Sequence, residues 1–404
     1  MSARFLIPAC VVAAACAPSA PERSEGASVA ASALRLSAEV VDPNGDVYVL
    51  IPQAVVDAVA TRNQAVVEAA LTEPLRSAYD AVKSARTKLP HELTEAELAG
   101  ALRPVMFHDG VWYLRKEPAH AAAKQALALA GQVLVGADAH NPEGPAEVYF
   151  GKAVVGCCGT DNRSVWRNNT SWPYATLIST FTPANSGSSQ WCTNVLWREC
   201  TWQLIGPSTA LASAHCFSPG GSPIGPFRWG TSPDGQDNLC NPIPAGYPQA
   251  YQNYSAYLPS EWFWFGDVDE WDFATIDFRG HAIPQPGYVA GWQGWMVAST
   301  SQIQNTVYYH FGVPKTDFND NPYADWPQIR GHWSPYAYPS SVGPYWIDYP
   351  GDCSPGDSGS AIWQYIASGY RVTGITRKGV PPNYCMARRL DNYFATFIQA
   401  TTEY

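Results

Sequence analysis

The chain has 404 residues, 46% apolar and only 15% charged, against about 25% charged in ordinary soluble proteins, which excludes bulk disorder and a disulfide-stapled mini-protein. Its 35 acidic side chains outnumber 25 basic ones for a net charge of −10, the wrong sign for a nucleic-acid scaffold, and beyond the N-terminus no apolar stretch reaches the roughly 18–20 residues of a spanning helix. Sixteen Trp, 22 Tyr, 10 Cys, 32 Gly and 34 Pro mark a turn-rich, aromatic chain of an oxidising compartment.

The N-terminus begins with Arg4, runs through Phe5-Leu6-Ile7 to Val11-Val12, and ends in Ala13-Ala14-Ala15 before Cys16. This is the layout of an export signal over 1–16, followed by an Ala/Pro/Ser-rich, disordered linker over 17–33. The stretch is similar to a bacterial lipoprotein signal, which makes Cys16 a candidate lipid anchor. Plain cleavage near Ala15 is the alternative, because Ala13 stands where the lipoprotein pattern prefers Leu. The expected location is outside the cell or on the bacterial cell envelope. Loss of the signal removes Cys10 and leaves at most nine cysteines, or eight without Cys16. An even set in an exported chain favours disulfides over metal ligation.

Residues 34–152 read as a small α+β unit. Asn44-Gly45 lies between Val40-Val41 and Val47-Tyr48-Val49, and Asp109-Gly110 between Val105-Met106-Phe107 and Val111-Trp112-Tyr113; both are hairpin signals. Apolar residues recur at helical spacing over 53–89 with a break at Pro74, Thr94 with Glu97 forms a capping box, and 118–135 is rich in helix formers. Beyond residue 150 the pattern changes to short apolar runs (174–181, 202–205, 273–278, 307–311, 370–375) separated by Gly, Pro, Asn and Ser. That spacing predicts an antiparallel all-β sandwich or barrel.

Three segments of this second part carry candidate chemistry. In Ala210-Leu211-Ala212-Ser213-Ala214-His215-Cys216 an apolar run ends in a histidine. In Trp271-Asp272-Phe273-Ala274-Thr275-Ile276 a carboxylate lies among large apolar residues and needs a partner, for which a histidine N–H is suited. In Pro355-Gly356-Asp357-Ser358-Gly359-Ser360 small residues around the Ser let backbone amides close on an oxyanion while the hydroxyl stays accessible. A Ser hydroxyl is a weak nucleophile until a base takes its proton. His215 would be that base, Asp272 would fix its tautomer, and the N–H groups of Gly356 and Ser358 would hold the oxyanion. The eight His include no H-E-x-x-H, so neither a metal nor another cofactor is expected.

This order and these residues resemble the chymotrypsin-like (trypsin-like) serine peptidases. Gly159-Thr160-Asp161-Asn162-Arg163, Pro173-Tyr174, Leu204-Ile205-Gly206-Pro207-Ser208, Val313-Pro314, Gly374-Ile375 and 386–398 are similar to the bacterial glutamyl endopeptidase-like branch. The resemblance covers about residue 155 to the C-terminus. It implies an all-β fold of two six-stranded antiparallel β-barrels of the chymotrypsin type, over 153–404, with 34–152 as an α+β pro-segment. It further implies a secreted, monomeric serine endopeptidase that acts on protein or peptide substrates through an acyl-enzyme, with no nucleic-acid partner. Disulfides Cys200–Cys216 and Cys353–Cys385 follow from the same likeness, whereas Cys157, Cys158, Cys192 and Cys240 allow three connectivities.

In trypsin-like members an Asp before the nucleophile pairs with the N-terminus made by zymogen cleavage. Asp357 takes that place, Val154-Val155-Gly156 resembles the inserted start, and Lys152-Ala153 is the candidate activation site. The glutamyl branch commonly has Asn or Gln at the Asp357 position, so the chain mixes features of both. Asp352, six residues before Ser358, occupies the place of the pocket acid that attracts Lys or Arg, although Cys353 stands one position early and shifts the loop register. Thr376 stands where the glutamyl branch has a pocket His; Arg377 and Lys378 follow it and would bind an acidic residue if turned inward. Cleavage after Lys or Arg is the expectation and cleavage after Glu the alternative. The reading from a different class is an inactive protease-fold binding or adhesion module built on the Trp and Tyr residues; the presence of all three triad residue types weighs against it.

Overall fold

The computed structural model describes residues 37–140, 164–166, 176–183, 196–217, 228–231, 254–266, 268–280, 285–312, 329–333, 338–351, 353, 356–380 and 384–402. The export signal, the linker, the candidate activation site, Val154-Val155-Gly156, Asp352 and the cysteines at 157, 158, 192 and 240 lie outside the described residues. The first part contains β1 (Glu39–Val41), β2 (Val47–Leu50), α1 (Gln53–Ala60), α2 (Gln64–Ala70), α3 (Leu75–Ala85), α4 (Glu95–Ala101), β3 (Pro104–His108), β4 (Val111–Arg115), α5 (His120–Ala128) and β5 (Leu134–Val135). Next come β6 (Ser164–Trp166), β7 (Leu177–Pro183), β8 (Leu196–Leu204), β9 (Thr209–Ala212), β10 (Arg228–Thr231), β11 (Ser255–Pro259), α6 (Ser260–Phe265) and β12 (Ala274–Asp277). They are followed by α7 (Pro286–Ala290), β13 (Gly294–Val297), α8 (Thr300–Gln304), β14 (Tyr308–Gly312), β15 (Ile329–Trp333) and β16 (Ser341–Val342). The chain closes with β17 (Trp346–Pro350), β18 (Ala361–Ile366), β19 (Gly369–Val380), β20 (Tyr384–Arg389) and α9 (Asn392–Thr401).

Local chemistry explains the first elements. Asp109 and Gly110 both have positive φ, 49° and 82°, as a tight turn between twisted strands requires, and they join β3 to β4. Thr94 Oγ1 accepts from Glu97 N while the Glu97 carboxylate accepts from Thr94 N, which starts α4 as a capping box. The periodic stretch 53–89 breaks twice. Besides the break before Leu75, the chain turns at Arg62, φ 53°, between α1 and α2. The helix expected over 118–135 ends at Ala128, and Gly131 at φ 76° redirects the chain into β5.

The described strands form two ten-stranded sheets, and neither closes on itself among the described residues. The first runs β1-β2-β4-β3-β11-β12-β9-β8-β7-β10; the second runs β16-β17-β20-β19-β18-β14-β15-β6, with β13 on β19 and β5 on β13. The fold is therefore mainly β, but two closed six-stranded barrels are not what these strands trace. The physical reason in the first sheet is the β3–β4 hairpin. β3 pairs along all of β11, from Pro104 opposite Pro259 to His108 opposite Ser255, and takes the edge that barrel closure would need.

Residues 38–404 form one compact unit, and one apolar cluster runs through both of its parts, from Val55, Tyr79 and Val82 to Trp264, Phe394 and Phe397. All six residues of α6, Ser-Glu-Trp-Phe-Trp-Phe, are buried. Tyr79 of α3 meets Trp264 edge-on at 5.6 Å, Arg86 lies over the Phe265 ring at 4.7 Å, and Ser260 Oγ donates to Gly100 O at 2.6 Å. α6 precedes the turn that carries Asp272 in the chain, and the N-terminal helices α1, α3 and α4 pack against α6.

Candidate active site

Strand pairing brings the acid and the base together. Ala274 of β12 faces Ala212 of β9 in antiparallel register, so Asp272, two residues before, arrives opposite the 3-10 turn Ala214–Phe217 that follows β9. Asp272 is fully buried. Its Oδ1 accepts from His215 N at 2.8 Å and its Oδ2 from His215 Nδ1 at 2.8 Å, while the His215 side chain keeps 33% exposure. Because the carboxylate can only accept, Nδ1 carries the proton and Nε2 presents a lone pair on the open side. Burial alone would push the Asp272 carboxyl up, but the contacts from His215 and then Arg377 outweigh it and hold the group below the usual carboxylate value.

The segment that carries Ser358 is gripped from two strands. Thr201 of β8 donates its N–H to Ser358 O at 2.9 Å and its hydroxyl to Gly356 O at 2.9 Å. Thr376 of β19 accepts from Gly359 N at 2.7 Å and also from Ser213 Oγ at 2.9 Å, just before His215. Gly356 and Gly359 have φ of 98° and 84°, which L side chains adopt with strain. The serine itself is part-buried; its Oγ donates to Arg377 O at a long 3.4 Å.

Cys200, beside Thr201, bonds Cys216, beside His215, with Cα atoms 6.2 Å apart. Two adjacent residues of β8 thus hold both the His215 turn and the Ser358 turn, one by a covalent link and one by hydrogen bonds. The sulfurs lie close to the His215 ring, but as a disulfide they offer no thiolate for a metal. The second bridge joins Cys353 to Cys385 of β20, Cα atoms 5.8 Å apart.

A Cβ on Gly359 would come within 2.4 Å of Thr201 O and 3.2 Å of Ser213 N, both rigid backbone. Gly359→Ala is therefore expected to cost roughly 2–4 kcal/mol, combining left-handed strain with overpacking. Urea unfolding of the purified variant measures it, and an unchanged midpoint would contradict this packing.

The other residues singled out from sequence are more dispersed. Thr376 is buried, and its Oγ1 hydrogen-bonds Tyr349 OH at 2.9 Å. Arg377 and Lys378 turn toward acids: Arg377 Nε donates to Asp272 Oδ2 at 2.8 Å, and Lys378 Nζ meets Asp269 Oδ2 at 3.1 Å. Asp357 is buried, with Oδ1 against Gly312, where a Cβ would sit 2.3 Å away. Three neighbours escaped the sequence reading. They are Thr201, Asp269, and His310, which is buried on β14 and hydrogen-bonds Ser360 Oγ through Nε2 at 2.7 Å. Only Thr201 left a signal, its place beside a paired cysteine.

No protein-family model and no curated protein matches the chain. Among solved structures it is similar to a glutamyl endopeptidase determined with MPD, at 18% identity and TM-score 0.44, over 61% of this chain and 100% of that one. It is also similar to the protease Anisep from Arthrobacter nicotinovorans, at 15% identity and TM-score 0.40, over 57% and 96% of the two chains. A thermostable serine protease, AL20, from an extremophilic microorganism follows at 15% identity and TM-score 0.37, over 57% and 99%. These structure neighbours are serine proteases of the chymotrypsin fold.

Proposed function

We propose that the protein is an exported serine endopeptidase in which Ser358 attacks a peptide carbonyl, His215 moves the proton and Asp272 orients the imidazole. The observation that carries this reading is the double hydrogen bond from His215 N and Nδ1 to buried Asp272. It fixes both the backbone and the ring of the base and leaves Nε2 for the serine proton. As Ser358 Oγ bonds to the carbonyl carbon, Nε2 takes the hydroxyl proton and the carbonyl oxygen becomes an oxyanion for the N–H groups of Gly356 and Ser358. Collapse breaks the C–N bond, the imidazolium protonates the amine, and an acyl-enzyme remains. Water then repeats the sequence, with Nε2 as its base and Ser358 as the leaving group. No cofactor enters any step.

For specificity, cleavage after Lys or Arg rests on Asp352, six residues before Ser358. The commitment of Arg377 and Lys378 to Asp269 and Asp272 leaves them poorly placed to receive a substrate Glu. Zymogen activation at Lys152-Ala153, with Asp357 receiving the new ammonium, and a lipid anchor at Cys16 belong to the same reading. So does a monomer that takes protein or peptide substrates. The two disulfides among the described residues suit an exported chain, and among those residues no helix is long and apolar enough to cross a membrane.

A fluorophosphonate probe with peptide mapping, alongside matched chromogenic peptides ending in Arg, Glu and Phe, tests the proposal. Label on Ser358 and fastest release after Arg are expected. Preference for Glu would reverse the specificity, and neither label nor release would leave the binding module as the better reading.

A further inference from the structure

The following inference rests on the catalytic reading above and concerns Arg377. Its guanidinium is 14% exposed and lies wedged between two acids. Nε donates to Asp272 Oδ2 at 2.8 Å, the same oxygen that accepts His215 Nδ1–H, and Nη2 meets Asp269 Oδ1 at 2.5 Å. The indole of Trp262 on α6 lies 6.0 Å from the guanidinium carbon. The backbone carbonyl of Arg377 accepts from Ser358 Oγ. One residue thus touches the acid with its side chain and the nucleophile with its main chain.

A carboxylate oxygen shared with a cation is a weaker acceptor and projects less negative potential onto the imidazole beyond it. The charged groups that face this oxygen come from three elements: His215 from the turn after β9, Arg377 from β19, and Asp269 from the turn before Asp272, acting through Arg377. Lys378 reaches only the far oxygen of Asp269 and is 48% exposed. Arg388 of β20 enters the same loop but donates Nε to Glu270 O and Nη2 to Asp391.

We propose that Arg377 is a positioning residue that divides the charge of Asp272 between guanidinium and imidazole, and so limits how far the carboxylate favours the imidazolium of His215. The sign follows from the charge on the ring. A cation beyond Asp272 disfavours the imidazolium, so removing Arg377 favours it and removing Asp269 disfavours it further. Asp269 offsets part of this effect by neutralising Arg377.

The test reads the acid limb of the kcat/KM profile and, independently of turnover, the His215 imidazole titration by NMR in the Ser358→Ala protein. Arg377→Gln is expected to raise both by about one pH unit, on the general size of a single close charge. Asp269→Asn should move both the opposite way, Arg377→Lys should restore part of the shift, and Lys378→Gln should change neither, because an exposed cation is screened. A general structural role would reduce activity in the first two variants without shifting either midpoint, and that result overturns the proposal. Should Arg377→Gln fail to fold, the Asp269→Asn shift decides alone, and its absence or reversal counts against Arg377. If the wild-type chain proves inactive, the catalytic reading falls while the NMR titrations still decide whether Arg377 governs His215.

Discussion

Replacing Ser358 with Ala is expected to lower kcat by about 10⁴- to 10⁶-fold while leaving KM within a few-fold, the usual result when the nucleophile of a coupled triad is removed. The loss belongs to the barrier and not to substrate binding, because the serine bonds the carbonyl carbon only after the substrate is bound. The folded state gives up little: Ser358 Oγ has one long hydrogen bond, to Arg377 O, and stability should fall by less than about 1 kcal/mol. The turn stays in place because Thr201 and Thr376 hold its backbone rather than the serine side chain. His215→Ala should cost nearly as much, and the double variant hardly more than either single one, since the groups act as a unit. Single-turnover assays on protein purified free of wild type measure all three. Losses that multiply would show that the roles given to His215 and Ser358 are wrong.

The second large effect concerns 38–140. Expressed alone, 153–404 is expected not to give a soluble, cooperatively melting protein. Without β3, the edge of β11 is uncovered along five residues, all of them buried in the whole chain, and an open apolar edge invites pairing with other chains. Trp264 and Phe265 would lose Tyr79, and α9 would lose α5, to which Gln399 is joined by Gln125. The sharper experiment starts from the folded full-length protein, with a foreign protease site placed within 141–150 and cut. If 38–140 is a working part of the fold, the two pieces co-elute and separate only in denaturant. A pro-segment that leaves on activation predicts that the pieces part in native buffer with activity retained. Sequencing the N-terminus of active secreted enzyme checks the same point.

What could be read in the sequence is what local pattern controls. Asp109-Gly110 specifies its own turn because few other dipeptides tolerate positive φ twice, and Thr94 with Glu97 caps α4 without help from elsewhere. The contact of His215 with Asp272 was legible for a similar reason: a carboxylate among large apolar residues needs a partner, and a histidine N–H suits it. The joining of β3 to β11 was not legible, since edge strands about 150 residues apart are matched by burial rather than by any local signal. Nor was α6, whose apolar run Trp262-Phe263-Trp264-Phe265 has no helical or strand periodicity because every side is covered. Arg377 shows the same limit at the site. Next to Lys378 it reads as one of two candidate pocket cations for an acidic substrate residue, and only the fold reveals that its side chain is drawn to Asp272 while Lys378 stays half exposed on Asp269.

The Cys200–Cys216 bridge also bears on when the site can exist. It is the covalent fastening between β8, which grips the Ser358 turn, and the turn that carries His215. In a thiol-rich cytosol that link stays open, and the His215 and Ser358 turns lose their covalent registration and rely on non-covalent contacts. On the proposed function, a site fastened this way is least competent where the chain itself is made. For the export proposed above, the open link is a safety catch that oxidation releases, and dithiothreitol titration is expected to lower activity by setting it again.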